Sequence, residues 1–257
     1  MTSDALLALQ DISVSFAGVR AISGVSFAQA RGEICAIIGP NGAGKSSLLN
    51  VITGVYRPDS GSIQFAGQTR PRMLPNLAAK SGIARTTQNL ALFRGMSVLD
   101  NLLAGRTLHT HTGFLSHALR LPHAVREEQT QREAAERILT FLELSAFRDS
   151  IVHELPYGLQ KRVELGRALA AEPQLLLLDE PMAGMTFEEK LEMSRFIIDI
   201  NERFGTSVLL IEHDMGVIMD LSDHVVVLDY GRKIADGTPE QIQRDPAVID
   251  AYLGVEH

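Results

Sequence analysis

Residues 33–46 read Glu33-Ile-Cys-Ala-Ile-Ile38 followed by Gly39-Pro40-Asn41-Gly42-Ala43-Gly44-Lys45-Ser46, and a run of helical character, which includes Ser47, extends from Ser46 to Thr53. The apolar half lacks polar alternation, which is how a strand buried on both faces of a parallel sheet reads. The second half matches G-x-x-x-x-G-K-[ST] in the context that gives this pattern meaning, after a strand and before a helix. Glycines let the backbone curl so that successive N–H groups point at one phosphate chain. The helix N-terminus adds the positive end of its dipole. Lys45 can then reach the outer phosphates, and the Ser46 hydroxyl can ligate a magnesium ion. The alternative is a chance glycine-rich turn, which average residue usage produces in on the order of one chain in a hundred. The strand and helix on either side lower that further.

Working outward, residues 175–178, 207–211 and 224–228 are apolar runs of the same kind, with helical patterns such as 190–204 between them. Such alternation predicts an α/β layered fold. The N-terminal part differs. Residues 8–16 and 24–28 alternate, and 61–65 follow a Pro-Asp-Ser-Gly turn, as in an antiparallel edge sheet. Residues 96–170 predict no strand. Within them, Ala134, Ile138, Phe141 and Leu142 recur at helical spacing in the stretch 126–144. The reading is a single domain over 1–257. In it, 1–95 and 171–257 form a nucleotide-binding α/β core with an N-terminal antiparallel β-subdomain, and 96–170 is an inserted α-helical subdomain.

The run 175–178 ends in Asp179-Glu180. Acid at the end of a buried strand lies where ligands collect in open α/β sheets. Asp179 would hold Mg²⁺ and Glu180 would polarise an attacking water. An apolar run ending in two acids is common by itself; beside a phosphate loop it becomes specific.

The bulk numbers exclude some classes. With net charge −7, the chain has no general basic face for nucleic acid. The single cysteine, Cys35, forbids an internal disulfide and sits in the apolar run as a small buried hydrophobe. Residues 1–10 lack the pattern of a secretory signal. No apolar stretch reaches the roughly 18 residues that span a bilayer, so membrane contact is expected through a partner. His109, His111, His117 and His123 have no cysteine or carboxylate among them and read as a solvated loop rather than a metal site.

Over essentially its whole length the chain resembles an ABC-transporter ATPase, a P-loop NTPase. Gln88, in Arg85-Thr-Thr-Gln-Asn89, resembles the family's Q-loop, which touches Mg²⁺ and the membrane subunit. Leu155-Pro156-Tyr157-Gly158-Leu-Gln160 resembles the signature motif, and His213 resembles the switch histidine that senses the γ-phosphate. Phe16 stands where the family places an aromatic against adenine, or is a strand-end core residue. The resemblance implies ATP and Mg²⁺ as ligands, with catalytic roles for Lys45, Gln88, Glu180 and His213. It implies a head-to-tail dimer in which Tyr157 and Gly158 complete the partner's site. It also implies integral membrane permease subunits, and a peripheral place on the cytoplasmic face of the inner (plasma) membrane. The stretch 90–96 is expected to line the groove for a permease helix, with Phe93 as anchor unless Phe93 is core.

Two positions depart from the family. Pro156 replaces the signature serine and supplies neither hydroxyl nor N–H. It is expected in the first turn of the signature helix, where it is unstrained. Thr186 stands where many relatives carry Asp. Within the family the resemblance is to ATPase subunits of branched-chain (hydrophobic) amino-acid importers, carried by residues 155–160, 180–185 and 212–215 and the ending Ala251-Tyr-Leu-Gly254. That implies a heterodimer with a second ATPase subunit, a homodimer being the alternative, and indirectly a periplasmic or extracellular binding protein. No nucleic acid is expected as partner. Urea or amide import and lipopolysaccharide export are the related alternatives. A soluble, non-transport ABC ATPase is disfavoured, because neither a long coiled-coil insertion nor a second cassette is present.

Overall fold

The structure is a computed structural model and describes residues 5–253 apart from 89, 111, 114, 115 and 117. Ten strands form two sheets among the described residues. The first contains β1 (Ala5–Phe16), β2 (Val19–Ala30), β4 (Ser60–Phe65) and β5 (Gln68–Arg70), in the order β2-β1-β4-β5 and antiparallel throughout. The second contains β3 (Ile34–Ile38), β6 (Ile83–Arg85), β7 (Leu175–Asp179), β8 (Ser207–Ile211), β9 (His224–Asp229) and β10 (Arg232–Gly237), in the order β10-β9-β3-β8-β7-β6. Its strands run parallel except β10, which is antiparallel to β9.

The unbroken apolar runs follow from this arrangement. Ile34, Ala36 and Ile38 of β3 face one core, shared with Leu176, Leu178, Val208, Leu210, Val225 and Val227. Cys35 and Ile37 face the other, with Leu175, Leu177, Leu209, Ile211, Val226 and Leu228. The second core is closed by the antiparallel sheet, through residues such as Leu7, Ile12, Val25 and Phe65. Both faces of the parallel sheet are covered, so its strands are apolar except near their ends, as at Ser207 and Asp179. Cys35 is wholly buried, and burial pushes its thiol pKa up.

Helix α1 (Lys45–Ile52) follows β3, and α2 (Pro75–Lys80) precedes β6. Between β6 and β7 come α3 (Val98–Gly105), α4 (Pro122–Phe141) and α5 (Tyr157–Leu169). Their apolar faces join the first core through Leu99, Leu102, Ile138, Leu139 and Val163. Helix α4 starts earlier than the periodicity predicts, because Pro122 sits at its first turn, where no N–H is needed. It stops at Phe141, just before Glu143 turns left-handed with φ 57. The remaining helices are α6 (Phe187–Phe204), α7 (Met215–Leu221), α8 (Pro239–Gln243) and α9 (Pro246–Leu253). Thr186 and Glu189 form a capping box at the start of α6, and Gly205 closes its end at φ 64.

No helix among the described residues is long and apolar enough to cross a membrane. His109 Nε2 lies 3.0 Å from Ala171 O, and His123 is exposed on α4. His111, His117 and Gly254 lie outside the described residues.

Candidate active site

The loop from Gly39 to Gly44 is pressed between strands. A Cβ on Gly39 (φ 146) would stand 2.0 Å from Leu228 O, and one on Gly44 (φ 99) would stand 2.6 Å from Ile22 Cδ1. Only glycine accepts both the conformation and the closeness. Helix α1 starts directly after, and Leu48 N–H is the first to bond back, to Gly44 O at 2.9 Å. The amides of Lys45, Ser46 and Ser47 therefore lie outside the helix's own ladder, at its positive end. The Lys45 ammonium is folded over the loop carbonyls, donating to Gly39 O at 2.6 Å and Pro40 O at 3.0 Å. Burial lowers its pKa, while Glu180 and Asp179 act in the opposite direction. Asn41, Gly42 and Ser46 are exposed, Pro40 and Ser47 are half-buried, and Ala43 is buried.

Segments far apart in the chain converge on Glu180. Its φ is 50, a left-handed conformation uncommon for such a side chain, and its N–H donates to Ile211 O at 3.0 Å. That turn puts the carboxylate between two other loops. Gln88 Nε2 donates to Glu180 Oε2 at 3.0 Å, and His213 Nε2 lies 2.9 Å from Glu180 Oε1. Three residues singled out in the sequence thus meet. Asp179, one residue earlier, is 3% exposed. Its Oδ2 accepts from Arg85 at 2.7 Å, while its Oδ1 is buried with no partner among the described residues. An orphaned, buried carboxylate oxygen beside a phosphate-type loop fits a hard divalent cation, which takes oxygen donors. The Ser46 hydroxyl and the Gln88 side-chain carbonyl are donors of the same kind.

Several residues that build the site carried no local signal. Glu164 on α5 is 2% exposed and accepts from Thr87 N at 3.2 Å, Thr87 Oγ1 at 3.3 Å and Ala91 N at 3.3 Å. Both flanks of Gln88 are thereby tied to the signature helix. Glu212 is buried, accepting from Met182 N at 2.8 Å and His213 N at 3.2 Å, and burial pushes its carboxyl pKa up. Asn101 clamps the backbone of Phe93 in both directions, at 2.9 and 3.1 Å. The only hint in the sequence was a single polar residue inside an otherwise buried stretch, as in Val163-Glu164-Leu165.

Phe93 itself is 51% exposed, with the Arg167 guanidinium 5.7 Å from its ring centroid, so it is not core. It lines an open groove of about 350 Å³ with Ile83, Arg85, Leu108 and Arg167. Of its neighbours, Leu92 is buried. Phe16 is 42% exposed and meets Tyr56 edge-on at 4.8 Å.

The signature turn differs in one detail from expectation. Pro156 is the N-cap of α5 rather than part of its first turn, with φ −52 and ψ 150. Its ring needs that φ and its ψ is extended, so the chain turns into the helix only at Tyr157. Gln160 N bonds to Pro156 O at 3.1 Å, which leaves the amides of Tyr157, Gly158 and Leu159 outside the ladder. A Cβ on Gly158 would lie 2.1 Å from Glu189 Oε1, and one on Gly184 would lie 3.3 Å from the Tyr157 ring. The turn therefore leans on the start of α6 and on the loop before it. Thr186 does for α6 the capping that an aspartate would do.

Known proteins resemble this chain over nearly its whole length. The family model described as ABC transporter matches residues 22–183, and one described as branched-chain amino acid ATP-binding cassette transporter matches residues 232–257. The chain is 37% identical to the high-affinity branched-chain amino acid transport ATP-binding protein BraF of Pseudomonas aeruginosa, covering 97% of this chain and 98% of that one. It is 38% identical to the corresponding LivG protein of Escherichia coli, covering 98% and 99%. Among solved structures, the ADP conformation of an ATP-binding cassette of an ABC transporter matches with a TM-score of 0.83 at 33% identity, over 98% of this chain and all 100% of that one. A nucleotide-free cassette from an ABC transporter matches with a TM-score of 0.83 at 32% identity, over 97% and 99%.

Proposed function

This chain belongs to the ABC transporter family, and from that premise we propose that it is the ATP-hydrolysing motor subunit of a membrane importer for branched-chain or other hydrophobic amino acids. The observation that carries the hydrolase reading is the convergence of Gln88 and His213 on the Glu180 carboxylate, at 3.0 and 2.9 Å, beside the Gly39–Gly44 loop. The cargo rests on the full-length similarity to BraF and LivG.

In this reading the triphosphate of ATP lies against the loop 39–46 and the first amides of α1, with Lys45 turning from its loop carbonyls to the outer phosphates. Asp179, Ser46 and Gln88 would hold Mg²⁺, and the chemistry the ion would supply is neutralisation of charge on the phosphate oxygens. Glu180 accepts a hydrogen bond from the attacking water and polarises it, and His213 contacts the γ-phosphate from the end of β8. Phe16, exposed at the end of β1, stacks on adenine. Tyr157 and Gly158 offer the free amides of α5 to the nucleotide of a second ATPase subunit, in a head-to-tail dimer that we read as a heterodimer.

Residues 96–170 act as a helical subdomain on the core of 1–95 and 171–257. The groove beside Phe93 receives a helix of an integral membrane permease subunit. The chain then works at the cytoplasmic face of the plasma membrane, fed by a binding protein on the other side. Reconstitution in proteoliposomes with the second ATPase, the permease subunits and the binding protein tests the whole: uptake of radiolabelled leucine, driven by ATP on the side of this subunit, supports it. ATP turnover that no hydrophobic amino acid stimulates, without uptake, contradicts the cargo.

A further inference from the structure

Arg85 ends β6, just before the Gln88 loop, and its side chain joins two parts of the site. Nη2 donates to Asp179 Oδ2 at 2.7 Å and Nη1 to Asn50 Oδ1 at 2.6 Å, while Nε is buried with no partner among the described residues. Asn50 lies on α1, the helix that carries Lys45 and Ser46 at its start. Asp179 ends β7 and is 3% exposed. A carboxylate held through one oxygen cannot swap its two oxygens by rotation. The oxygen left over, Oδ1, is the one that is buried without a partner among the described residues. The planar fork of arginine suits this task, since two fixed donors meet two acceptors on different elements. Lysine offers one compact charge and cannot span both.

We propose that Arg85 is a positioning residue for the divalent cation: it anchors Asp179 by Oδ2 and braces α1 through Asn50, so that Asp179 Oδ1 is presented to the metal that accompanies ATP. This rests on the reading of Asp179 as the metal carboxylate. Two other roles are open to the same ion pair. It could merely neutralise a buried acid, or it could compete with the cation for that acid. The three roles differ in what happens to metal affinity when Arg85 is removed.

The test uses the full chain and two readouts. The first is affinity for a fluorescent ATP analogue in EDTA, which involves no metal. The second is binding of Mn²⁺ to the ATP complex, followed by electron paramagnetic resonance. In Arg85→Met the Mn²⁺ binding is expected to weaken about ten- to a hundredfold, the range for losing a partner that orients a metal ligand, a larger factor than the change in affinity in EDTA that losing the brace on α1 brings. Asn50→Ala, which removes the brace alone, and Arg85→Lys, which keeps the charge, should each weaken Mn²⁺ by a smaller factor. Unchanged Mn²⁺ affinity in Arg85→Met overturns the proposal, and tighter Mn²⁺ binding overturns it in favour of competition. If circular dichroism shows that Arg85→Met does not fold, wild-type Mn²⁺ affinity in both Arg85→Lys and Asn50→Ala overturns it. Mn²⁺ binding insensitive to Asp179→Asn would instead sink the underlying assignment of Asp179, and the role of Arg85 with it.

Discussion

Glu164 and Ala91 lie 73 residues apart in the chain, yet the N–H of exposed Ala91 donates to Oε1 of the buried Glu164 at 3.3 Å. The same oxygen accepts from Thr87 N–H, so the Gln88 loop is fastened to α5 on both sides of Gln88. Lys161 stands 3.9 Å from the other oxygen, and both side chains are buried. Removing one member of such a pair strands the other charge, at a cost of about 3–5 kcal/mol. Glu164→Ala should therefore lower the unfolding midpoint and raise amide hydrogen exchange across residues 87–91. The double variant Lys161→Met with Glu164→Gln removes the stranded charge while keeping an acceptor, and should recover much of the protection. Equal exchange in wild type and Glu164→Ala would count against the clamp.

Phe93 is held by its backbone, while its ring projects into the groove with the Arg167 guanidinium over it. Asn101 fixes its N–H and C=O, while the ring is half exposed over the groove. Truncating a surface ring in this setting should move the stability of the isolated subunit by no more than about 0.5 kcal/mol. The same Phe93→Ala change should weaken assembly with the permease subunits about tenfold or more, as an aromatic anchor does. Affinity for ATP should not change. Co-purification from detergent and a thermal scan of the isolated chain separate the two effects.

His224 ties three strands at the end of the sheet away from Glu180. Its ring pairs with Asp236 on β10 through Nε2, and Nδ1 lies 3.3 Å from Glu33 Oε1 just before β3. Lys233 also reaches Asp236, and the buried Cys35 thiol faces the ring. The hydrogen bond to Asp236 is the largest cause that pushes the histidine's pKa up to about 12, from 6.5. A pKa raised on folding gives stability that is fully present below the unfolded value and is lost as pH rises toward the folded one. The advantage of wild type over His224→Gln should therefore shrink from about pH 6.5 upward, by at most about 1.4 kcal/mol per pH unit. Urea unfolding of both proteins at about pH 6, 7.5 and 9 checks the sign; an advantage that grows with pH contradicts it.

The central strands were legible because both their faces are buried, which writes an unbroken apolar run into the chain. The loop from Gly39 to Gly44 was legible because its geometry tolerates only glycine at the crowded positions. Glu180 was legible as an acid at a strand end, whereas Gln88 and His213 stood out only through the family resemblance. Strand β6 has only three residues, Ile83–Arg85, and leaves no periodic trace. Arg85, Glu164, Asn101 and Glu212 work through contacts between distant segments, so no local pattern marks them. What sets them apart is a buried polar group with a specific partner, a property of packing and not of sequence spacing.

The reading of the site turns on Glu180, and the variant that probes it is Glu180→Gln in the assembled transporter. The amide keeps a hydrogen-bonding group between Gln88 and His213 but cannot polarise water as a carboxylate does. ATP affinity should stay near the wild-type value while steady-state hydrolysis falls by about 10²–10⁴-fold, the contribution of a positioned general base. The ATP-bound dimer should then persist on gel filtration. Hydrolysis by Glu180→Gln at the wild-type rate, with ATP bound equally well, would contradict the assignment of Glu180 and with it the mechanism built around that carboxylate.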